Sequence, residues 1–114
     1  MLLDFIKKNS VLILLLVSFL THFIFFGYPK TTVFDEVHFG KFISGYFTHE
    51  YFFDIHPPLG KLLLSGMGYL GGFKPGFSFA SIGERFPDYK YLWLRLLPTL
   101  MGMLLPIIIY YLAI

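Results

Sequence analysis

The sequence predicts an all-α membrane protein: two transmembrane helices joined by an extracytoplasmic loop that carries two interfacial amphipathic helices. Three observations predict it. The 114 residues are 56% hydrophobic and 21% aromatic with only 14% charged, whereas an ordinary soluble domain is about 45–50% apolar and ~25% charged. The stretch from Ser10 to Gly27 holds no charged residue, and His22 is its one ionisable side chain. A second apolar stretch, Tyr89 to Ile114, is broken only by Lys90 and Arg95 near its start. A soluble chain of this size cannot hide so much Phe, Leu, Ile and Tyr without large exposed patches. Disordered chains are poor in aromatics, so disorder is excluded as well.

Each element has its own justification. Residues 1–9 form a polar head whose Lys7 and Lys8 place it in the cytoplasm by the positive-inside rule. Residues 10–27 form the first span, since roughly 18 residues at ~1.5 Å each reach about 27 Å, close to the ~30 Å hydrocarbon core. The following Phe25-Phe26-Gly27-Tyr28-Pro29 suits an interfacial aromatic belt and offers no small-residue cleavage site. Residues 28–88 are the extracytoplasmic loop. Within it Phe39, Phe42, Ile43, Tyr46 and Phe47 follow helical spacing, with His38, Lys41, Gly45 and His49 on the other face. Thr32 with Asp35 three residues on resembles a capping box opening that helix. A second helix runs from Pro58, a natural first residue, to Gly71-Gly72, a natural stop, with Leu59, Leu62, Leu63, Met67 and Leu70 in one stripe. Both are too short to span a bilayer and are expected to lie in the interface, apolar face down. Gly71 to Asp88 is turn-rich and receives no regular element. Residues 89–114 form the second span, with Asp88 as N-cap and with Pro98 and Pro106 tolerated inside lipid. The chain ends at Ile114 inside an apolar run, so a longer protein is expected, of which this is the front end.

A net charge of +2 with dispersed Lys and Arg gives no footprint for nucleic acid. The absence of cysteine removes disulfides, thiolate nucleophiles, Cys-ligated zinc and iron–sulfur clusters together. Polar residues concentrate in few places. Asp35-Glu36 stands shortly after the first span, and the helix dipole alone accounts for two acids at a helix start. The chemical reading is a general base at the membrane surface. Helical neighbours point about 100° apart, so one acid acts on the reactant while the other holds a cation or a backbone amide. In Asp54-Ile55-His56-Pro57-Pro58-Leu59-Gly60-Lys61, the free first-turn amides and the Lys61 ammonium form a corner suited to phosphate. Arg95 lies about a turn inside the second span, where a charge is costly unless paired, so a phosphate or a loop carboxylate is its expected partner. His38, His49 and His56 show no metal-ligand spacing, and no metal is expected.

These residues carry a resemblance. Thr32-Val-Phe-Asp-Glu-Val-His-Phe-Gly-Lys-Phe42, followed by Tyr51-Phe-Phe-Asp-Ile-His-Pro-Pro-Leu-Gly-Lys61, closely resembles the first extracytoplasmic loop of protein O-mannosyltransferases. These are the dolichyl-phosphate-mannose–protein mannosyltransferases and their bacterial polyprenyl-phosphate relatives. Phe77 to Gly83 and Tyr91 to Pro98 match as well. The resemblance implies the N-terminal part of a GT-C type, inverting glycosyltransferase that moves mannose from a polyprenyl or dolichyl phosphate to Ser/Thr hydroxyls of proteins. It makes Asp35 the general base and Glu36 its organising partner. His56, Lys61 and Arg95 match positions near that site, and binding the lipid phosphate or holding the loop is their physical reading. It implies no cofactor. The implied partners are the lipid bilayer, the mannosyl lipid donor, an acceptor protein and a dimer partner. The membrane is the plasma membrane in a bacterium and the endoplasmic reticulum in a eukaryote. Family members carry many more spans, so 114 residues alone are expected to be inactive. Two other readings stay open: a GT-C transferase of another sugar or acceptor, and a non-catalytic two-span adaptor.

Overall fold

The computed structural model describes residues 1–113 apart from the side chain of Leu3, so Ile114 of the expected second span lies outside the described residues. The described chain is helical, as expected: α1 (Leu2–Lys8), α2 (Ser10–Phe23), α3 (Glu36–Thr48), α4 (Pro58–Leu70) and α5 (Tyr91–Ala113). The β structure among these residues is an isolated antiparallel bridge, Thr31 to Arg85. Two compact units emerge, one of Met1–Phe26 with the residues from Pro98 onward, the other Gly27–Leu97.

In the first unit α2 stops at Phe23, short of the expected Gly27. The backbone tightens there: Ile24 still bonds Leu20 four residues back, but Phe26 bonds Phe23 only three back. The expected first span is therefore a helix plus a closing turn. The C-terminal half of α5 runs antiparallel to α2. Ser10 and Tyr110 share a hydroxyl hydrogen bond of 2.7 Å, and the Ser18 hydroxyl donates to the Met103 carbonyl at 2.7 Å. A Cβ at Gly102 would lie 2.9 Å from His22 Nε2. Small residues that let helices approach this closely are a common device in lipid, where no hydrophobic force pulls helices together. Among the described residues α5 is the helix long and apolar enough to cross a membrane, and none of its most apolar stretch is buried. A core helix of a soluble protein would be covered.

The second unit has an aromatic core. Ile43 of α3 and Tyr91 of α5 meet Phe73, Phe79 and Phe86, with Phe47, Leu64, Phe77, Leu92 and Leu94 packed around them. Three of these five residues come from the turn-rich segment to which the sequence assigns no element. Thr32 fixes that segment. Fully buried, it donates its hydroxyl to the Ser81 carbonyl at 2.6 Å and its N–H to the Glu84 carbonyl at 2.8 Å. This corrects the expected capping box: Thr32 does not cap α3. The first residue of the helix, Glu36, instead reaches back along the chain, its Oε2 accepting the Val33 N–H at 2.9 Å.

The short helices also differ from expectation. The apolar face of α3 is covered by protein, since Ile43 is buried and none of its large apolar side chains is exposed. Gly45, read as part of the polar face, is buried against Phe52. Thus α3 packs its apolar face onto the protein core. The bounds of α4 agree with its Pro58 and Gly71 punctuation. Its faces, however, are inverted for a soluble protein: Lys61 and Gly68 are buried, while Leu59, Leu62, Leu63, Tyr69 and Leu70 are exposed.

Gly40 of α3 faces the Phe79 ring so closely that any Cβ would overlap it. Phe79 is 1% exposed and at the centre of the aromatic cluster, so the ring has nowhere to go. Gly40→Ala is expected to destabilise this unit by about 3 kcal/mol, the upper part of the overpacking range. A Cβ at Gly66 would meet nothing within 4 Å, and Gly66→Ala should be neutral or gain up to ~1 kcal/mol from helix propensity. Thermal unfolding in micelles followed by near-ultraviolet dichroism separates the two.

Candidate functional site

Asp35 and Glu36 open α3, Asp35 as its N-cap. Their side chains have different fates. Glu36, half-buried, grips Arg95: Nε donates to Oε1 at 2.5 Å and Nη2 to Oε2 at 2.8 Å. The same guanidinium donates from Nη1 to the Pro29 carbonyl at 2.7 Å and from Nη2 to the Thr31 carbonyl at 2.9 Å. Its flat face lies 4.8 Å from the Tyr91 ring centre and 5.6 Å from that of Phe86, and those two rings stack. A planar fork with fixed donors suits this arrangement, and a lysine would not reproduce it. Glu36 thus holds both a cation and a backbone amide, tying the start of α3 to α5 and to the strand-like residues before it. With 12% of Arg95 and 26% of Glu36 exposed, the pair is largely screened from water.

Asp35 is the opposite case. Its side chain is exposed and makes no hydrogen bond or ion pair among the described residues. A carboxylate one residue from a bidentate salt bridge, on a helix N-terminus, yet itself uncommitted, is held in place by its neighbours and not by its own bonds. It is available to accept a proton.

The second cluster centres on a residue that the sequence reading quotes but does not assign, Asp54. Its Oδ2 accepts the Lys61 ammonium, and its Oδ1 accepts His56 Nδ1 at 2.8 Å. The Lys61 ammonium, with the His56 bonds adding to it, holds the Asp54 carboxyl well below the usual carboxylate range. Asp54 is therefore ionised throughout the neutral range. Because its folded pKa is depressed, the stabilisation it contributes is complete above the ordinary value of 3.8 and is lost only as pH falls well beneath it. Lys61 also lies over the rings of Phe42 and Phe52, at 5.0 and 5.8 Å. The second cluster touches α3 as well. Phe39, one turn beyond Asp35, has its ring centre 6.3 Å from that of His56. Among the described residues no group of three metal-ligating side chains converges.

Comparison with known proteins places these residues in context. A family profile described as Dolichyl-phosphate-mannose-protein mannosyltransferase matches residues 12–114. Over 90 residues the chain is 46% identical to Dolichyl-phosphate-mannose–protein mannosyltransferase 1 of Candida albicans, covering 78% of this chain and 10% of that protein. It is 43% identical over 98 residues to Protein O-mannosyltransferase 1 of Drosophila melanogaster, covering 85% and 11%. It is 45% identical over 85 residues to the Saccharomyces cerevisiae mannosyltransferase 1, covering 74% and 10%. The chain therefore spans about a tenth of the length of these relatives. No solved structure matches it.

Proposed function

Given that the chain belongs to the dolichyl-phosphate-mannose–protein mannosyltransferase family, we propose that it forms the N-terminal part of a GT-C type enzyme that mannosylates proteins. The observation that carries this reading is the division of labour between two adjacent acids, one locked to Arg95 and one free. The free carboxylate of Asp35 takes the proton from a Ser or Thr hydroxyl of the acceptor protein. The oxygen then attacks C1 of mannose from the face opposite the lipid phosphate. The C1–O bond to phosphate breaks, its electrons leave with the phosphate, and a β-linked mannose becomes α-linked. Glu36 organises the site through Arg95. Near the leaving phosphate, His56 supplies a direct contact, while Lys61 and Arg95, each paired with a carboxylate, hold Asp54 and Glu36 in place.

Membrane placement belongs to the same reading. Residues 10–27 and 89–114 span the bilayer, and residues 28–88 lie on the extracytoplasmic side, at the plasma membrane of a bacterium or the endoplasmic reticulum of a eukaryote. The exposed leucines of α4 support an apolar face seated in lipid, where each side chain moved out of water gains ~1.5–3 kcal/mol. A dimer partner completes the assembly.

The test is transfer by membranes from cells expressing the gene, given a mannosyl polyprenyl phosphate and a Ser/Thr-containing peptide. The expected product is an α-linked mannose on the peptide. Sugar delivered to a lipid or glycan and not to the peptide would overturn the reading.

A further inference from the structure

His56 is held at three points by two buried charges. Its backbone N–H and its Nδ1 both reach Asp54 Oδ1, at 3.2 and 2.8 Å, and its carbonyl accepts from Lys61 Nζ at 3.2 Å. The other carboxylate oxygen of Asp54 accepts Lys61. The side chains of Lys61 and Asp54 are only 3% and 7% exposed, whereas that of His56 is 61% exposed. An ionised carboxylate can only accept, so Nδ1 carries the proton, and Nε2 is the ring nitrogen with no partner among the described residues. Burial of a lysine is tolerated when a carboxylate neutralises it, and such a lysine has no charge to spare for a second anion.

We propose that Asp54 is a positioning residue for the transfer reaction, fixing the tautomer and the orientation of the His56 ring, with Lys61 as the buried counter-ion that holds Asp54. This rests on the reading that His56 faces the lipid phosphate. When the imidazole is protonated, Nδ1 donates to Asp54 and Nε2 donates to the phosphate oxygen on which charge builds as the C1–O bond breaks. Lys61 then influences the phosphate through Asp54 and His56 and does not touch it. A carboxylate that orients a working histidine through its far nitrogen is a recurrent arrangement in active sites and metal centres, because it leaves one defined nitrogen for chemistry.

Two measurements test it. The chain has four histidines, so nitrogen-15 histidine spectra in micelles can be assigned residue by residue. His56 is expected in the Nδ1–H tautomer, and Asp54→Ala should return it to the Nε2–H form. A wild-type His56 already in the Nε2–H form overturns the proposal, even if Asp54→Ala fails to fold. The second measurement is kcat/KM for the mannosyl lipid in membranes expressing the gene. Asp54→Asn and Lys61→Met should each lower it about tenfold or more, and the double variant should be no worse than the poorer single one. Losses that multiply would make Lys61 a phosphate ligand in its own right and overturn the counter-ion assignment. Asp35→Asn in the same assay tests the mannosyltransferase reading separately, since its outcome does not move the His56 tautomer.

Discussion

Asp35→Asn is expected to lower the rate of mannose transfer by about 10²–10⁴-fold, the contribution typical of a positioned general base. The fold should not change. Asp35 makes no hydrogen bond or ion pair among the described residues, and asparagine matches it in size and is a favoured N-cap. The variant thus isolates chemistry from structure. Initial rates with saturating donor, alongside a thermal melt, check it. Unchanged transfer at unchanged stability would remove Asp35 from the reaction.

Glu36→Gln should fail in the other way, by losing structure first. Glutamine keeps the shape, but one of its ends is an NH₂ group that cannot accept from the guanidinium. Arg95 would then lose the Glu36 charge while keeping the Pro29 and Thr31 carbonyls. Breaking a buried pair on one side costs roughly 3–5 kcal/mol, and Glu36 is partly exposed, so about 3 kcal/mol is expected. Arg95→Lys should cost a similar ~3 kcal/mol because one ammonium cannot serve Glu36 and two carbonyls from one plane. Near-ultraviolet dichroism should report either loss, since Arg95 lies over the stacked Phe86 and Tyr91. If Glu36→Gln melted with wild-type stability, the scaffold role of Glu36 would be wrong.

What could be read from the sequence was local. Pro58 and Gly71 mark the ends of α4 because their backbone restrictions act within a turn, wherever the chain goes next. The apolar run of α5 is legible for the same reason, since length and composition need no partner. The Glu36–Arg95 pair joins positions 59 apart, and nothing local relates them. A charge near the start of a span predicted only that some partner was needed. In sequence Thr32 fits a capping box, because its hydroxyl stands three residues before an acid. The same hydroxyl is claimed by Ser81, which folds back over it. The turn-rich segment shows no element in sequence because its order comes from aromatic side chains, Phe73, Phe79 and Phe86, and not from a repeating backbone pattern. Lys61 looked available in sequence, but its burial depends on Asp54, seven residues earlier, being turned inward.

The central claim is that, of two neighbouring acids, only one is unengaged. Treating the folded chain in micelles with a water-soluble carbodiimide and glycinamide, then mapping adducts by mass spectrometry, measures this directly. Asp35 should be modified rapidly, while Glu36 and Asp54 should stay protected until the chain is denatured. Equal labelling of Asp35 and Glu36 in the folded state, or protection of Asp35, would contradict it.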